Sequence, residues 1–389
     1  MALGLLLVGA AALVVCSRPA TERDSAPDST DPKLDGGSDG SEDGSAEAGD
    51  AAAALKAAGP AATLIRVGDA RRLSRPLFKR LVTDPDVVVR RKAMVTLAHI
   101  GRGEALVPLR TGLTDEDPEV RRLALFGLGQ LEASAHPDAV RVISSFLDLD
   151  PPTQERRAAV AALGQVGTAD SQGIILEALE SPEPQLRAAA AIALGVHAMR
   201  QRPEAEPPFA ELVPRLGDGD PSVRLAAAFA MSRGAPPQPV TAPAVATALE
   251  NSLRRDEDPE VRVMAGRALA RVGVERPALL LASLGRDEDW RVRTMAATAL
   301  GRSAPPEKVA RGIASTWKRI RGDRAALASA ELHPLVALLE AAVERPHGAL
   351  AKALGAVHRQ AGARAAEAET PREKLALGHL RCKAALALD

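Results

Sequence analysis

The chain repeats one amphipathic pattern of apolar and polar positions seven times before residue 302. The string Asp-Pro-x-Val-Arg occurs at residues 117–121, 220–224 and 258–262, and alignment on its arginine gives units with steps of 31 to 38 residues. Such a period is typical of repeat proteins whose units stack on their neighbours. We call the aligned residues the signature arginines: Arg90, Arg121, Arg156, Arg187, Arg224, Arg262 and Arg293.

Three columns of the alignment predict a buried helical face in each unit. Position +3 from the signature arginine is alanine in every unit, position +7 is leucine except for Met231, and position −1 is aliphatic except for Glu155. These positions are four residues apart, so they lie along one face of an α-helix. The alanines, for which we predict close helix contacts, are Ala93, Ala124, Ala159, Ala190, Ala227, Ala265 and Ala296.

The Asp-Pro pair predicts where each of these helices begins, because aspartate is a good N-cap and proline is favoured at the first helical position. Glycines at +8 (Gly129, Gly164, Gly195 and Gly301) predict nearby helix ends. A step of 31 residues leaves room for a second helix of about 12 residues in each unit. The segments predicted to form it are Ala105–Leu113, Ala139–Leu147, Ile174–Leu179, Phe209–Leu216, Val245–Leu253 and Ala278–Leu284.

This pattern resembles the HEAT family, in the short bacterial type of repeat also seen in phycobilisome lyases. The resemblance implies an all-α fold, an α-solenoid of antiparallel helix pairs. We assign residues 51–302 to HEAT-like repeats and residues 303–389 to divergent helical repeats that continue the solenoid. In the second region, helical periodicity occurs at Glu307–Ile320, Leu327–Val343, Leu350–Gln360 and Glu373–Leu388.

The first 16 residues read as a signal or anchor segment. An apolar run from Leu3 to Val15 ends at Cys16, and it is shorter than the roughly 20 residues of a membrane span. Residues 13–16 resemble a bacterial lipobox, which makes Cys16 a candidate for lipidation, although Val15 stands where that motif has Gly, Ala or Ser. A lipoprotein, an uncleaved anchor and a cleaved signal all fit. Each of them places the folded part outside the cytoplasm, in the periplasm or at the surface of a bacterium.

Residues 17–50 form an acidic, low-complexity linker. Asp, Ser, Gly and Ala dominate it, Leu34 is its one large aliphatic residue, and residues 21–50 carry ten acids against two bases. A segment of this composition cannot bury enough apolar surface to fold alone. We therefore predict a disordered tether between the anchor and the repeats.

Composition supports a helical core and argues against nucleic acid as a partner. Hydrophobic residues make up 46% of the chain but aromatics only 2%, so the core is built from Ala, Leu and Val. Formal net charge is zero, and the mild positive excess after residue 50 forms no concentrated basic stripe. Cys16 and Cys382 are too far apart to suggest a disulfide framework or a metal site, and we predict Cys382 to be a small core residue.

Motifs for catalysis are absent from the sequence. None of the seven histidines sits in a His-Glu pair, so the di-iron chemistry of HEAT-type deoxyhypusine hydroxylases is not implied, and we expect isolated surface histidines. We predict no metal or other cofactor and no catalytic residue. The function that follows is a non-catalytic protein–protein interaction scaffold, a monomer held at the cell envelope. A lyase-like enzyme accessory and a structural component of an envelope assembly are the alternatives.

Paired arginines in the first three units suggest where a partner binds. We expect the first arginine of each pair to form a ladder with aspartates near the turns. The second arginines, Arg91, Arg122 and Arg157, should form a row on the face opposite the buried one. That row could receive an acidic protein or anionic lipid, or it could simply be a solvated face.

Overall fold

The computed structural model describes residues 75–200, 209–234, 243–271, 276–327 and 329–388, which all belong to one compact unit spanning residues 47–389. These residues form helices joined by short turns, with no strand among them. The signal segment, Cys16, the linker and residues 51–74 lie outside the described ranges. The fold class predicted from the repeat pattern is confirmed for the part that is described.

Fourteen helices form seven consecutive pairs. The helices that carry the signature arginines, here called the signature helices, are α2 (Val87–Ile100), α4 (Pro118–Gly129), α6 (Thr153–Val166), α8 (Pro184–Arg200), α10 (Pro221–Gly234), α12 (Pro259–Arg271) and α14 (Trp290–Ser303). The helices that precede them, here called the partner helices, are α1 (Arg75–Leu81), α3 (Leu106–Gly112), α5 (His136–Leu147), α7 (Ala169–Leu179), α9 (Phe209–Leu212), α11 (Pro243–Arg255) and α13 (Pro277–Arg286).

Five further helices continue the stack: α15 (Pro306–Ile320), α16 (Arg324–Leu327), α17 (His333–Glu344), α18 (Ala351–Glu367) and α19 (Pro371–Leu386). Helix α17 packs against α14, and α18 and α19 form a closing hairpin. The predicted helix 327–343 is interrupted, because the chain leaves α16, turns at Ser329 and starts again with Pro334 in the first turn of α17. Likewise Pro214 ends α9 early and begins a 3-10 turn.

Aspartates cap five of the seven signature helices. The Asp117 carboxylate accepts a hydrogen bond from the Val120 backbone N–H at 2.9 Å, and Pro118 occupies the first turn. Asp86, Asp220, Asp258 and Asp289 cap their helices in a similar way, through the N–H two residues later. Because each aspartate satisfies one of the free N–H groups at a helix start, it fixes where that helix begins. Helix α6 begins after Pro152 with no side-chain cap.

The alanine column is buried completely. All seven alanines at position +3 have no exposed surface, which confirms the register deduced from the sequence. Each helix therefore packs without a gap at this position, and a larger side chain has no room. The same core holds the leucines at +7, such as Leu128 and Leu194.

Glycines at +8 allow neighbouring signature helices to approach closely. A Cβ atom at Gly164 would lie 2.8 Å from the Ala193 backbone oxygen, and one at Gly195 would lie 2.8 Å from the Ala230 Cα. The prediction that these glycines mark helix ends is wrong at Gly195, since α8 continues to Arg200. Their role is packing between repeats.

The signature arginines link every unit to the next one. Each guanidinium binds a carboxylate of the following unit, and in six units it also donates to two backbone carbonyls of its own preceding turn. The pairs are Arg90–Asp115, Arg121–Glu155, Arg156–Glu183, Arg187–Asp218, Arg224–Asp256, Arg262–Asp287 and Arg293–Glu331. The expected ladder is present, but three of its seven acids are glutamates and not aspartates.

Candidate protein-interaction face

One side of the signature helices faces away from the partner helices and is open to solvent. Positions −1, +3 and +7 point into the core, so positions +1, +5 and +9 lie on the opposite side of each helix. We call this surface the inner face. The signature helices contact one another more extensively than the partner helices do, because glycine at +8 meets alanine at +6 of the next unit.

The middle of the inner face is a partly exposed apolar column at position +5. Val95 is 50% exposed, and Phe126, Ile192 and Phe229 are half-buried. These side chains present apolar surface on a side of the helix against which no described helix packs. A row of this kind is what a protein partner can cover.

Carboxylates are excluded from the inner face beyond the first turn. From the signature arginine to the end of each signature helix, the seven sequences contain no Asp or Glu. Acidic residues gather instead in the first turns and preceding loops, where many bind the ladder arginines. The bases that remain on these helices are Arg91, Lys92, Arg122, Arg157, Arg200, Arg233, Arg267, Arg271 and Arg302. This asymmetry becomes visible only when the units are aligned, because total charge along the chain is balanced.

The three predicted stripe residues occupy equivalent positions on α2, α4 and α6, which pack in succession. Arg91 binds both carboxylate oxygens of Asp117, at 3.0 and 2.6 Å, and this contact lowers the pKa of Asp117 to about 2. Arg122 binds Glu119 and Gln154. Arg157 is half-buried, and its Nε has no hydrogen-bond partner within the described part of the chain. Two of the three charges are therefore already matched by acids of the chain.

Two other residues differ from their predicted surroundings. His197 is buried, with its Nε2 3.1 Å from the Gln172 Oε1, and burial lowers its pKa, so the expectation of surface histidines fails there. Cys382 is exposed on α19 and is not a core residue. Trp290 is 36% exposed and its ring packs edge-on against that of His333.

In the ranges that the structure describes, no cluster of three or more His, Cys, Asp or Glu side chains could hold a metal ion. Nor is any helix in those ranges long and apolar enough to cross a membrane.

Comparison with known families agrees with this architecture. The family model described as HEAT repeats matches residues 74–164, 140–232, 173–252 and 246–330, which together span well over half of the chain. The protein therefore belongs to the HEAT-repeat family. No curated protein sequence matches it significantly.

Solved structures show the same fold at low sequence identity. A chain of the Kap95:Nup1 complex superposes with a TM-score of 0.52 at 12% identity, covering 88% of this protein and 56% of that chain. Kap95p bound to RanGDP gives a TM-score of 0.51 at 12% identity, covering 87% and 56%. The CpcE–CpcF complex of phycocyanin lyase from Nostoc sp. PCC7120 gives 0.36 at 20% identity, covering 62% and 92%. The protein spans just over half the length of the Kap95 chains.

Proposed function

We propose that the protein is a non-catalytic scaffold that binds other proteins on its inner face. The observation that carries this proposal is the partly apolar surface along the signature helices, which no other helix of the described ranges covers. Extended surfaces of this kind are what solenoids use for binding. The Kap95 structures, which hold RanGDP or Nup1, are complexes of the same fold, so they support a binding role in general terms.

The proposal includes attachment to the cell envelope through the N-terminal segment. The support comes from the sequence: an apolar run that ends at Cys16, followed by an acidic linker. A linker of roughly 30 residues would reach about 30 Å, from the flexible-chain estimate of 5–6 Å times the square root of its length. The repeats would then be held outside the cytoplasm, near the membrane but able to turn toward a partner.

Lipidation of Cys16 has a direct test. Metabolic labelling with a palmitate analogue should label the wild-type protein and leave the Cys16→Ser variant unlabelled, with the circular dichroism spectrum unchanged. Firm anchoring needs more than one acyl chain, and a lipidated lipobox cysteine carries more than one. Loss of these chains should therefore also release the variant from membranes. A wild-type protein that stays unlabelled yet pellets with membranes would show an uncleaved apolar anchor instead.

The scaffold function is tested by purifying the tagged full-length protein from native membranes. We expect a discrete partner in fixed stoichiometry, identified after crosslinking by mass spectrometry. Metal analysis and absorbance spectra of the same preparation separate the alternatives. Bound iron or a tetrapyrrole would contradict the scaffold proposal and favour an enzyme accessory. Incorporation of the protein into an envelope assembly without any stoichiometric partner would favour a structural role.

A further inference from the structure

Three arginines on the last signature helices form a basic cluster on the inner face. Arg267 lies at position +5 of α12, and Arg233 and Arg302 lie at position +9 of α10 and α14. All three side chains are exposed, and none forms an ion pair with another described residue. The Arg233 guanidinium instead lies 6.0 Å from the centre of the Phe229 ring, a cation–π contact. We call these residues the basic cluster.

The described helices that carry the basic cluster offer it no carboxylate beyond their first turns. The signature helices α10, α12 and α14 have no acid after the signature arginine. Glu260, in the first turn of α12, is bound by Arg291 at 3.0 Å. Two acids of the loops, Asp256 and Asp287, are bound in the same way by Arg224 and Arg262. This half of the inner face differs from the first three units, where Arg91 and Arg122 are matched.

The spacing of the basic cluster suits an extended polypeptide. Packed helices lie about 8–10 Å apart, and an extended chain advances about 3.3–3.6 Å per residue. In a peptide that crosses α10, α12 and α14, roughly every third residue therefore lies opposite the next arginine. The half-buried side chains of Phe229, beside Arg233, and Met264, beside Ser232 of α10, can receive apolar residues of the same peptide.

We propose that the basic cluster binds an extended acidic segment of the partner protein, in which a carboxylate recurs about every third residue with apolar side chains between. This rests on the scaffold function proposed above and specifies the chemistry of its ligand. A single-stranded nucleic acid is disfavoured, because base stacking needs a series of aromatic side chains. Phe229 is the one aromatic residue on these three helices after their signature arginines.

The test uses the full-length protein and a fluorescent 15-residue peptide with Glu at every third position among Ser and Val. A peptide with Gln in place of each Glu is the control ligand. The triple variant Arg233→Gln, Arg267→Gln, Arg302→Gln removes the basic cluster. A matched triple variant, Arg110→Gln, Arg255→Gln, Arg286→Gln, removes the same charge from exposed positions on the partner helices α3, α11 and α13.

By fluorescence anisotropy, we expect the acidic peptide to bind the wild type and the Gln peptide to bind at least about tenfold more weakly. Loss of the basic cluster should weaken binding at least about tenfold, about 1.4 kcal/mol, whereas the matched variant should stay within about twofold. Circular dichroism and thermal unfolding establish that both variants fold. Binding should also fall as salt is raised, since the charges are exposed.

Equal losses in the two triple variants would overturn the proposal, because binding would then follow net charge and not this face. Tighter binding of a single-stranded oligonucleotide of equal charge, lost in the basic-cluster variant, would assign the cluster to nucleic acid and also overturn it. Failure of the peptide to bind while a stoichiometric protein partner still co-purifies would refute the acidic ligand and leave the scaffold function standing. Bound iron or tetrapyrrole would instead refute the scaffold itself.

Discussion

Arg121 donates two hydrogen bonds to the carboxylate of Glu155, at 2.9 and 2.6 Å, across the boundary between the second and third units. Glu155 occupies position −1, where the other six units have an aliphatic residue. Its side chain is only 3% exposed. The aspartate available in the preceding loop, Asp150, has a positive φ of 48°, is 90% exposed and lies 3.6 Å from Arg156, not beside Arg121. The third unit thus keeps the ladder by moving its acid from the loop into the helix.

Replacement of Glu155 by the residue that its column favours should destabilise the protein. In Glu155→Leu, Arg121 loses its partner while its side chain remains mostly buried. Breaking a buried ion pair costs about 3–5 kcal/mol, and because Arg121 is 22% exposed we expect about 2 kcal/mol. Urea unfolding measures the loss. The double variant Arg121→Met, Glu155→Leu should recover most of it, and a stabilised single variant would contradict the role of the pair.

The alanine column should reject larger side chains. Ala190→Leu places a leucine at a fully buried helix contact and should destabilise the protein by about 1–3 kcal/mol through overpacking. Ala161→Leu is the control. Ala161 lies at position +5 of the neighbouring α6, on the inner face and away from the core, and it is exposed. Thermal unfolding should show a lower midpoint for the first variant alone. Equal midpoints would mean that the register is misassigned.

Features set by nearby residues could be predicted from the sequence, whereas features set by distant contacts could not. Where an aspartate and a proline stand in the same turn, as at Asp117 and Pro118, the motif alone places the helix start. Glu155 looks like a lapse in a column until its partner, 34 residues earlier, is known. Cys382, predicted to be a small core residue, is exposed, because α19 carries Ala and Leu on all sides and its sequence pattern does not show which side packs. The basic cluster could not be predicted from the sequence either, because it brings together side chains of three separate units.

Two glycines should respond to alanine with opposite signs. In Gly164→Ala the new Cβ would lie 2.8 Å from the Ala193 backbone oxygen, so the two signature helices must separate, at a cost of about 1–3 kcal/mol. Gly173 lies within α7, and a Cβ there meets nothing within 4 Å. Gly173→Ala should therefore stabilise the protein by about 0.5–1 kcal/mol through helix propensity. Urea unfolding of both variants checks the contrast, which a loss at both positions would contradict.

The arginine–carboxylate ladder should make the free energy of unfolding depend on pH in the acidic range. Arg187 lowers the pKa of Asp218 in the folded protein, so this pair stabilises the fold above the unfolded pKa of about 4 and loses that contribution as the pH falls toward the folded pKa. Arg187→Gln should destabilise by about 2 kcal/mol at pH 7, and the difference from wild type should shrink below pH 4. Arg141→Gln, which removes an exposed pair with Asp138, should change little at either pH. A difference that is constant with pH would contradict the assignment.

Site-specific photo-crosslinking on native membranes tests the scaffold account most directly. A benzophenone amino acid is placed at Ile192 or Phe229 on the inner face, and at Val107, which is 61% exposed on the partner helix α3. We predict that both inner positions crosslink to the same protein in high yield and that Val107 does not. Crosslinks from Val107 alone, or no protein crosslink from either inner position, would contradict the claim that the inner face is where this protein binds its partner.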